Sequence, residues 1–96
     1  MDELVTLIRN SMRMKHSALD EAIRNNIESA VADMVRVGVQ PYSDKENKIL
    51  KDDSLIRKAT ELYCKADFDY LGKGLQFEAS YEKLRDSMSL SGDYNE

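Results

Sequence analysis

Apolar residues recur three and four positions apart in four separate segments, which is the spacing of one face of an α-helix. Sustained alternation of apolar and polar residues, the pattern of a half-buried strand, occurs in no segment. The pattern predicts four helices, at about residues 3–14, 18–37, 54–70 and 75–88. The fold class is therefore predicted to be all-α, a small bundle of four main helices with a long loop at 39–53 and a C-terminal tail.

The first two predicted helices carry apolar stripes of different width. The first stripe is narrow and consists of Leu4, Leu7, Ile8 and Met12. The second is broad and consists of Leu19, Ala22, Ile23, Ile27, Ala30, Val31, Met34 and Val35. Ser17 is the predicted N-cap of the second helix, and Gly38 suits a left-handed residue just beyond its end. Pro41 then prevents simple continuation of the helix.

The third predicted helix carries two apolar rows, and the fourth carries one. Asp53 or Ser54 can cap the third helix. Together its two rows make an apolar surface wider than a single neighbouring element would cover. We therefore expect this helix to lie at the centre of the bundle, in contact with several neighbours. Gly72 and Gly74 mark a short turn before the fourth helix. The rows of the third helix are Leu55, Ala59, Leu62, Ala66 and Ile56, Tyr63, Tyr70, and the fourth helix has Phe77, Tyr81, Leu84 and Met88.

The composition describes a single small globular domain spanning residues 1–96, with 42% apolar and 33% charged residues. Fourteen basic residues against 18 acidic ones give a net charge of −4, and no predicted helix is basic enough to favour insertion into DNA. No apolar run reaches the roughly 20 residues of a membrane span, and no signal peptide opens the chain. We therefore expect no membrane partner and a cytoplasmic place of synthesis and assembly.

The residues with catalytic or metal-binding chemistry are sparse. His16 is the only histidine and Cys64 the only cysteine, which excludes an internal disulfide framework and a thiolate-rich zinc site. Cys64 lies within an apolar helix, where a free cysteine usually packs as a small hydrophobic residue. Gly72-Lys73-Gly74 lacks the spacing of a phosphate-binding loop. The sequence therefore predicts no catalytic residue, no metal, no cofactor and no enzymatic activity.

Two segments outside the helices are candidate contact surfaces, because long loops are often functional and a tail can become ordered against a neighbour. Without such a neighbour the tail is expected to be extended or mobile. For every candidate in these segments, plain solvent exposure is the alternative. The loop candidates are Tyr42, Lys45, Lys48 and Lys51, and the tail candidates are Leu90, Tyr94 and Asn95.

Aromatic residues concentrate in the third and fourth predicted helices. We interpret them as core side chains, with a subunit interface as the alternative, because tyrosine is enriched at interfaces. Small helical domains with wide apolar faces often complete their cores by association. The five residues are Tyr63, Phe68, Tyr70, Phe77 and Tyr81.

Two long stretches carry a resemblance to a known family. The first, DSLIRKATELYCKADFDY, matches the form Asp-x-Leu-Ile…Ala…x-Tyr-x-Lys-Ala-x-Phe-x-Tyr. The second, FEASYEKLRDSMSLSGDYNE, contains Phe-x-x-Ser-Tyr-x-x-Leu followed by Leu-Ser-x-x-Tyr. In order and spacing, these motifs resemble the head–tail connector proteins of tailed phages, also described as head–tail adaptor or DNA-packaging proteins. The resemblance covers essentially the whole chain and is weakest in the loop 39–53.

The resemblance implies a compact helical domain with a structural role in the virion. Such proteins form a homo-oligomeric ring below the portal protein at one capsid vertex. The ring extends the channel through which phage DNA passes and gives head-completion or tail proteins a docking face. The expected location is the neck of the virion, after assembly in the cytoplasm of the host bacterium, whether a phage or a prophage encodes the chain. The alternative is a small helical regulator that binds DNA as a dimer, for which a basic recognition helix would be needed.

Overall fold

A computed structural model describes residues 2–44 and 49–94 of the chain. These residues form four α-helices, and a 3₁₀ turn at Tyr70–Gly72 joins the third helix to the fourth. The predicted all-α fold class is thereby confirmed. The helices are α1 (Asp2–Ser11), α2 (Asp20–Arg36), α3 (Ser54–Asp67) and α4 (Gly74–Leu90).

The predicted loop 39–53 contains a short antiparallel hairpin that the sequence pattern did not predict. Its strands are β1 (Tyr42–Asp44) and β2 (Ile49–Leu50), and the register places Tyr42 opposite Leu50. Strands of three and two residues are too short to show an alternating pattern, so they cannot be distinguished from a loop by periodicity. The pairing holds the two described parts of this connection side by side.

Left-handed backbone conformations end two helices earlier than the periodicity predicts. α1 ends at Ser11 rather than near residue 14, and Arg13 has a φ of 58°. α3 ends at Asp67 rather than near residue 70, and Asp69 and Leu71 have φ angles of 50° and 57°. A right-handed helix cannot continue through such residues. Arginine and leucine rarely adopt this conformation, so the sequence gives little sign of either turn.

The start of α2 also differs from the prediction. Ser17 is not the N-cap: Leu19 occupies that position, and no side chain caps the helix. The acidic first turn compensates, since the carboxylate of Asp20 lies near the positive end of the helix dipole. The same carboxylate accepts a hydrogen bond of 2.6 Å from Arg9, which ties α2 to α1. At the other end, Gly38 has a φ of 91°, as the left-handed position after a helix requires.

The core lies where the four helices meet, and α3 contacts each of the other three. This arrangement explains the two apolar rows of α3, because its neighbours cover more than one side. Val39, which follows α2, is also buried. The buried side chains of the helices are Val5 and Ile8 of α1, Met12 just after it, Ile23, Ile27, Ala30, Val31 and Met34 of α2, Ile56, Ala59, Thr60, Leu62 and Cys64 of α3, and Tyr81 and Met88 of α4.

Four leucine and valine residues predicted to face the core are substantially exposed instead. Each lies at the edge of an apolar stripe. Successive side chains are rotated by about 100° around the helix axis, so a residue at the edge of the stripe is not covered by the neighbouring helix. In α1, Val5 is buried, whereas Leu7 is 47% exposed. The others are Leu19, Val35 and Leu55, which are 45%, 49% and 41% exposed.

Gly74 sets the close approach of α3 and α4 at the turn that joins them. A Cβ atom at this position would lie 2.6 Å from Oδ1 of Asp69 and 2.9 Å from the carbonyl oxygen of Ala66. The Gly74 amide donates a 2.7 Å hydrogen bond to the Asp69 carboxylate, so no larger residue fits without displacing this contact. α4 therefore begins one residue before the predicted position, and it continues two residues beyond the predicted end, to Leu90.

Candidate interaction surface

A groove of about 780 Å³ lies between α1, α2, the hairpin and the start of α3. Apolar and charged side chains both line it, and we call it the hairpin groove. Leu7 is its exposed apolar member, whereas Val31 is almost fully buried. The apolar lining consists of Leu4, Leu7, Val31, Tyr42 and Leu50, and the charged lining of Glu3, Glu28, Lys51, Asp52 and Arg57.

Two of the four predicted loop contacts belong to this groove. Tyr42 is half-buried in β1, and Lys51 follows β2 directly. The Lys51 amide donates a 2.8 Å hydrogen bond to the carbonyl oxygen of Pro41, which closes the base of the hairpin. Lys45 and Lys48 lie outside the described residues.

The tail residue Tyr94 packs against the same connection. Its hydroxyl lies 3.0 Å from both carboxylate oxygens of Asp53, and its carbonyl oxygen accepts a 2.7 Å hydrogen bond from the Gln40 amide. The ammonium group of Lys51 lies 5.5 Å from the centre of the Tyr94 ring, a cation–π distance. The expectation of an extended or mobile tail is therefore wrong as far as Tyr94. Lys51 of the loop and Tyr94 of the tail, which were predicted separately, are therefore in contact.

Of the other two tail candidates, Leu90 does not join this contact. Leu90 is the last residue of α4 and is 89% exposed. Asn95 lies outside the described part of the chain.

Asp53 connects the tail to the start of α3. Its carboxylate accepts hydrogen bonds from the amides of Leu55 and Ile56, at 2.8 and 3.3 Å, and thereby caps the helix as predicted. Partial burial would raise the pKa of Asp53, but these amides, the Tyr94 hydroxyl and Lys51 together lower it. The charged carboxylate is thus the form that holds both helix and tail.

Removing this carboxylate should destabilise the domain. We expect Asp53→Ala to lower the free energy of unfolding by about 1–2 kcal/mol through loss of the cap, with a further loss of about 1 kcal/mol from the tail contact. Tyr94→Phe should lose only the second part. Urea unfolding followed by circular dichroism measures both variants. Equal losses in the two variants would show that the cap contributes nothing.

The five predicted aromatic residues all pack within the monomer. Tyr81 is 3% exposed, and the other four are half-buried against the core. Tyr63 and Tyr81 meet edge to face with their ring centres 5.1 Å apart, and Tyr70 and Phe77 lie 6.2 Å apart. Phe68 follows α3 directly and covers its end. The cluster joins α3 to α4 in the way that core aromatics do.

Asp33 is the centre of a charged cluster that links α2 to α4. One carboxylate oxygen accepts hydrogen bonds from Tyr81 and Arg85, at 2.7 and 2.8 Å, and the other accepts from Arg36 at 2.7 Å. Partial burial would raise the pKa of Asp33, but these three donors outweigh it and lower the pKa to about 2. Burial and the Asp33 carboxylate both raise the pKa of Tyr81.

A polar cleft of about 430 Å³ opens beside this cluster. Besides Asp33 of α2, its lining includes the carboxylates of Asp67 in α3 and of Glu78 and Glu82 in α4. Within residues 2–44 and 49–94, no group of three or more His, Cys, Asp or Glu side chains is placed to hold a metal ion. The Asp33 cluster is accounted for by its own hydrogen bonds, and its evident role is to join the helices.

Cys64 and His16 lie in unlike surroundings. Cys64 is completely buried in α3, and burial, with Asp67 and Glu61 adding to it, raises the pKa of its thiol to about 12. The thiolate, which is the nucleophilic form, is therefore strongly disfavoured near neutral pH. His16 is exposed on the connection between α1 and α2.

The sequence reasoning missed two features of the surface. Asp33 and Arg85 are 52 positions apart, and nothing local marks either as the partner of the other. Leu71 and Leu75 are 70% and 83% exposed on either side of the turn between α3 and α4. The sequence does contain a sign of this exposure, because Leu71 and Leu75 flank Gly72-Lys73-Gly74 and belong to no apolar stripe.

None of the helices in the described part of the chain is both long and apolar enough to cross a membrane. Comparison with protein-family models, with curated proteins and with solved structures finds no significant match to this chain.

Proposed function

We propose that this protein is a structural component of a phage virion, a head–tail connector that forms a ring below the portal. The observation that carries the proposal is a closed helical core combined with apolar side chains exposed at separate places on the surface. Leu71, Leu75 and Leu90 are 70–89% exposed, and the hairpin groove is partly apolar. An apolar groove rimmed by charged side chains favours a binding role, and the exposed leucines add to the apolar surface available to a partner.

The fold supports this proposal in a second way. The resemblance of the sequence motifs to head–tail connectors implies a compact helical domain, and the chain folds as four helices around one core. The motif stretches lie on α3, α4 and the segment that follows α4. Tyr63 and Tyr81, which belong to the motifs, pack against each other and hold the two helices together. The motif residues therefore stabilise the helical fold that the resemblance implies.

The charge of the chain also suits the proposed role. A net charge of −4 gives little affinity for phosphates, because strong non-specific binding needs clustered Lys and Arg. A channel that DNA must pass through benefits from weak contact with the polyanion. A DNA-binding regulator would need the opposite arrangement.

The experiment is native mass spectrometry of the full chain, alone and mixed with the portal protein encoded in the same genome. The expected result is a new species consisting of the portal plus a ring of copies of this chain. A portal protein from an unrelated phage is the matched control and should give no such species. Because docking can depend on a filled head, DNA-filled heads that lack this protein are tested in parallel by co-sedimentation.

The opposite result would contradict the proposal. Absence of binding to both the portal and the filled heads, together with a stable dimer in solution, would favour the regulator. Tight duplex binding that weakens steeply with added salt would then establish that alternative. Salt-insensitive or absent duplex binding is expected of the connector.

A further inference from the structure

The turn between α3 and α4 presents an apolar knob, residues 71–75, which we call the α3–α4 corner. Leu71 and Leu75 at its two ends are 70% and 83% exposed. Leu71 is also held at a φ of 57°, a left-handed conformation that is unfavourable for a leucine and that tertiary structure must maintain. Gly72 and Gly74 between them add no side chain. Two exposed leucines, one of them on a strained backbone, are typical of a surface that meets a partner.

The charge at the corner is a single cation. Lys73 is exposed between the two leucines, at the N-cap position of α4. Asp69 is the nearest acidic residue before the corner in sequence. Its carboxylate already accepts a 2.7 Å hydrogen bond from the Gly74 amide. The corner therefore offers two apolar side chains around one ammonium group.

The hairpin groove offers the complementary arrangement. Its apolar lining includes Leu7, Tyr42 and Leu50. Among its charged residues, Arg57 lies 3.8 Å from the carboxylate of Asp52 and offsets it. The groove has three carboxylates and two cations in total, so its excess charge is negative.

The acidic side of the groove is formed by α1 and α2. Glu3 and Glu28 are both exposed at its edge. Lys51, the second cation, lies directly after β2, and its ammonium group approaches the Tyr94 ring. A cation entering the groove beside its apolar lining would meet Glu3 and Glu28 first.

We propose that the α3–α4 corner of one copy docks in the hairpin groove of the next. Leu71 and Leu75 cover the apolar lining, and Lys73 pairs with Glu28 at the edge. The groove includes Asp52 and Arg57 at the start of α3, whereas the corner follows its end. The 14 residues of α3 separate the two surfaces by about 20 Å. The corner of one copy therefore cannot bind in the groove of the same copy.

A contact between two different surfaces is heterologous and builds a head-to-tail chain of copies. Such a chain closes into a ring or continues as a filament, according to the rotation between copies. Closure into a ring rests on the connector function proposed above. The contact itself rests on the groove and the corner alone.

The experiment reverses the two charges separately and together in the full chain. Sedimentation velocity over a range of concentrations measures self-association, and native mass spectrometry counts the copies bound to the portal. We expect Lys73→Glu and Glu28→Lys each to weaken association at least tenfold. The double variant, which restores opposite charges across the contact, should recover most of the wild-type association. An equimolar mixture of the two single variants should also associate, with the two variants alternating along the chain, because each corner then meets a groove of opposite charge.

The leucines are tested with variants whose folding can be separated from association. Leu71→Gly relieves the left-handed conformation, so the monomer should unfold at a higher urea concentration while associating less tightly. Leu75→Ala should weaken association without changing the unfolding midpoint, since the side chain is 83% exposed. Ser87→Ala, at an exposed position of α4 outside both surfaces, is the control and should change neither property.

The readouts distinguish the two proposals. If the single charge variants still assemble on the portal in wild-type number, the contact is wrong and the connector function stands. If the charge-swap pattern holds in the free chain but no variant binds the portal or filled heads, the contact stands and the connector function fails. If the wild-type chain associates neither in solution nor on the portal, both are overturned.

Discussion

Replacing Tyr81 by alanine should lower the free energy of unfolding by about 3–5 kcal/mol, the range of large aromatic truncations in cores. Tyr81 is 3% exposed and packs its ring edge to face on Tyr63 at 5.1 Å. Its hydroxyl donates a 2.7 Å hydrogen bond to Asp33, which would lose a donor. Urea unfolding followed by circular dichroism, with sedimentation to record the oligomeric state, measures the effect.

Two phenylalanine variants separate the ring from the hydroxyl. Tyr81→Phe keeps the packing and should lose only about 1.5–3 kcal/mol, the value of a hydrogen bond to a charged group. Tyr70→Phe, in the half-buried pair with Phe77, is the matched control and should change stability little. A Tyr81→Ala chain that stays as stable as the wild type but no longer assembles would place this residue in an interface and contradict the core assignment.

The second large effect is expected from Asp33→Ala, which should lower the free energy of unfolding by about 2–3 kcal/mol. The substitution leaves Arg85 and the buried hydroxyl of Tyr81 without their shared acceptor. Arg85 is only 16% exposed, so water replaces the lost partner incompletely. Asp93→Ala removes an exposed carboxylate instead and is the control for net charge. A loss no larger than that of the control would show that the cluster adds nothing to stability.

The same residue predicts a specific dependence on pH. The pKa of Asp33 is lowered from 3.8 to about 2 in the folded chain, so the charged carboxylate stabilises the fold. This contribution is fully present above about pH 4 and is lost as the pH falls through the folded pKa. The stability difference between the wild type and Asp33→Ala should therefore narrow between about pH 4 and pH 2. A difference that stays constant over this window would contradict the lowered pKa.

The sequence was most informative about the helices. Ile23, Ile27 and Met34 recur at helical spacing, and all three are buried. The periodicity depends only on local geometry, since one face of a helix must avoid water whatever it packs against. It was least informative at the ends of α1 and α3, where Arg13 and Leu71 adopt left-handed conformations. Those conformations are unfavourable for the isolated residues and exist because the neighbouring helices hold them in place.

The candidate surface could be predicted only in part. Tyr42 and Lys51 were identified from the length and charge of their loop, and they line the hairpin groove. The contact of Lys51 with Tyr94 has no local signal, because the two residues are 43 positions apart in the sequence. The exposure of Leu75 was likewise invisible, since an apolar residue is predicted to be buried until the neighbouring elements are placed.

The amino-acid pattern alone predicted an acidic, all-α fold with four helices, a central third helix and a cap at Asp53 or Ser54, because periodicity, capping and charge are properties of neighbouring residues. The long-range partnerships required the packed chain. The Asp33–Arg85 pair, the tail contact of Tyr94, the groove and the exposed corner each depend on distant segments meeting in space. Such meetings follow from how four helical faces pack together, which no single segment encodes.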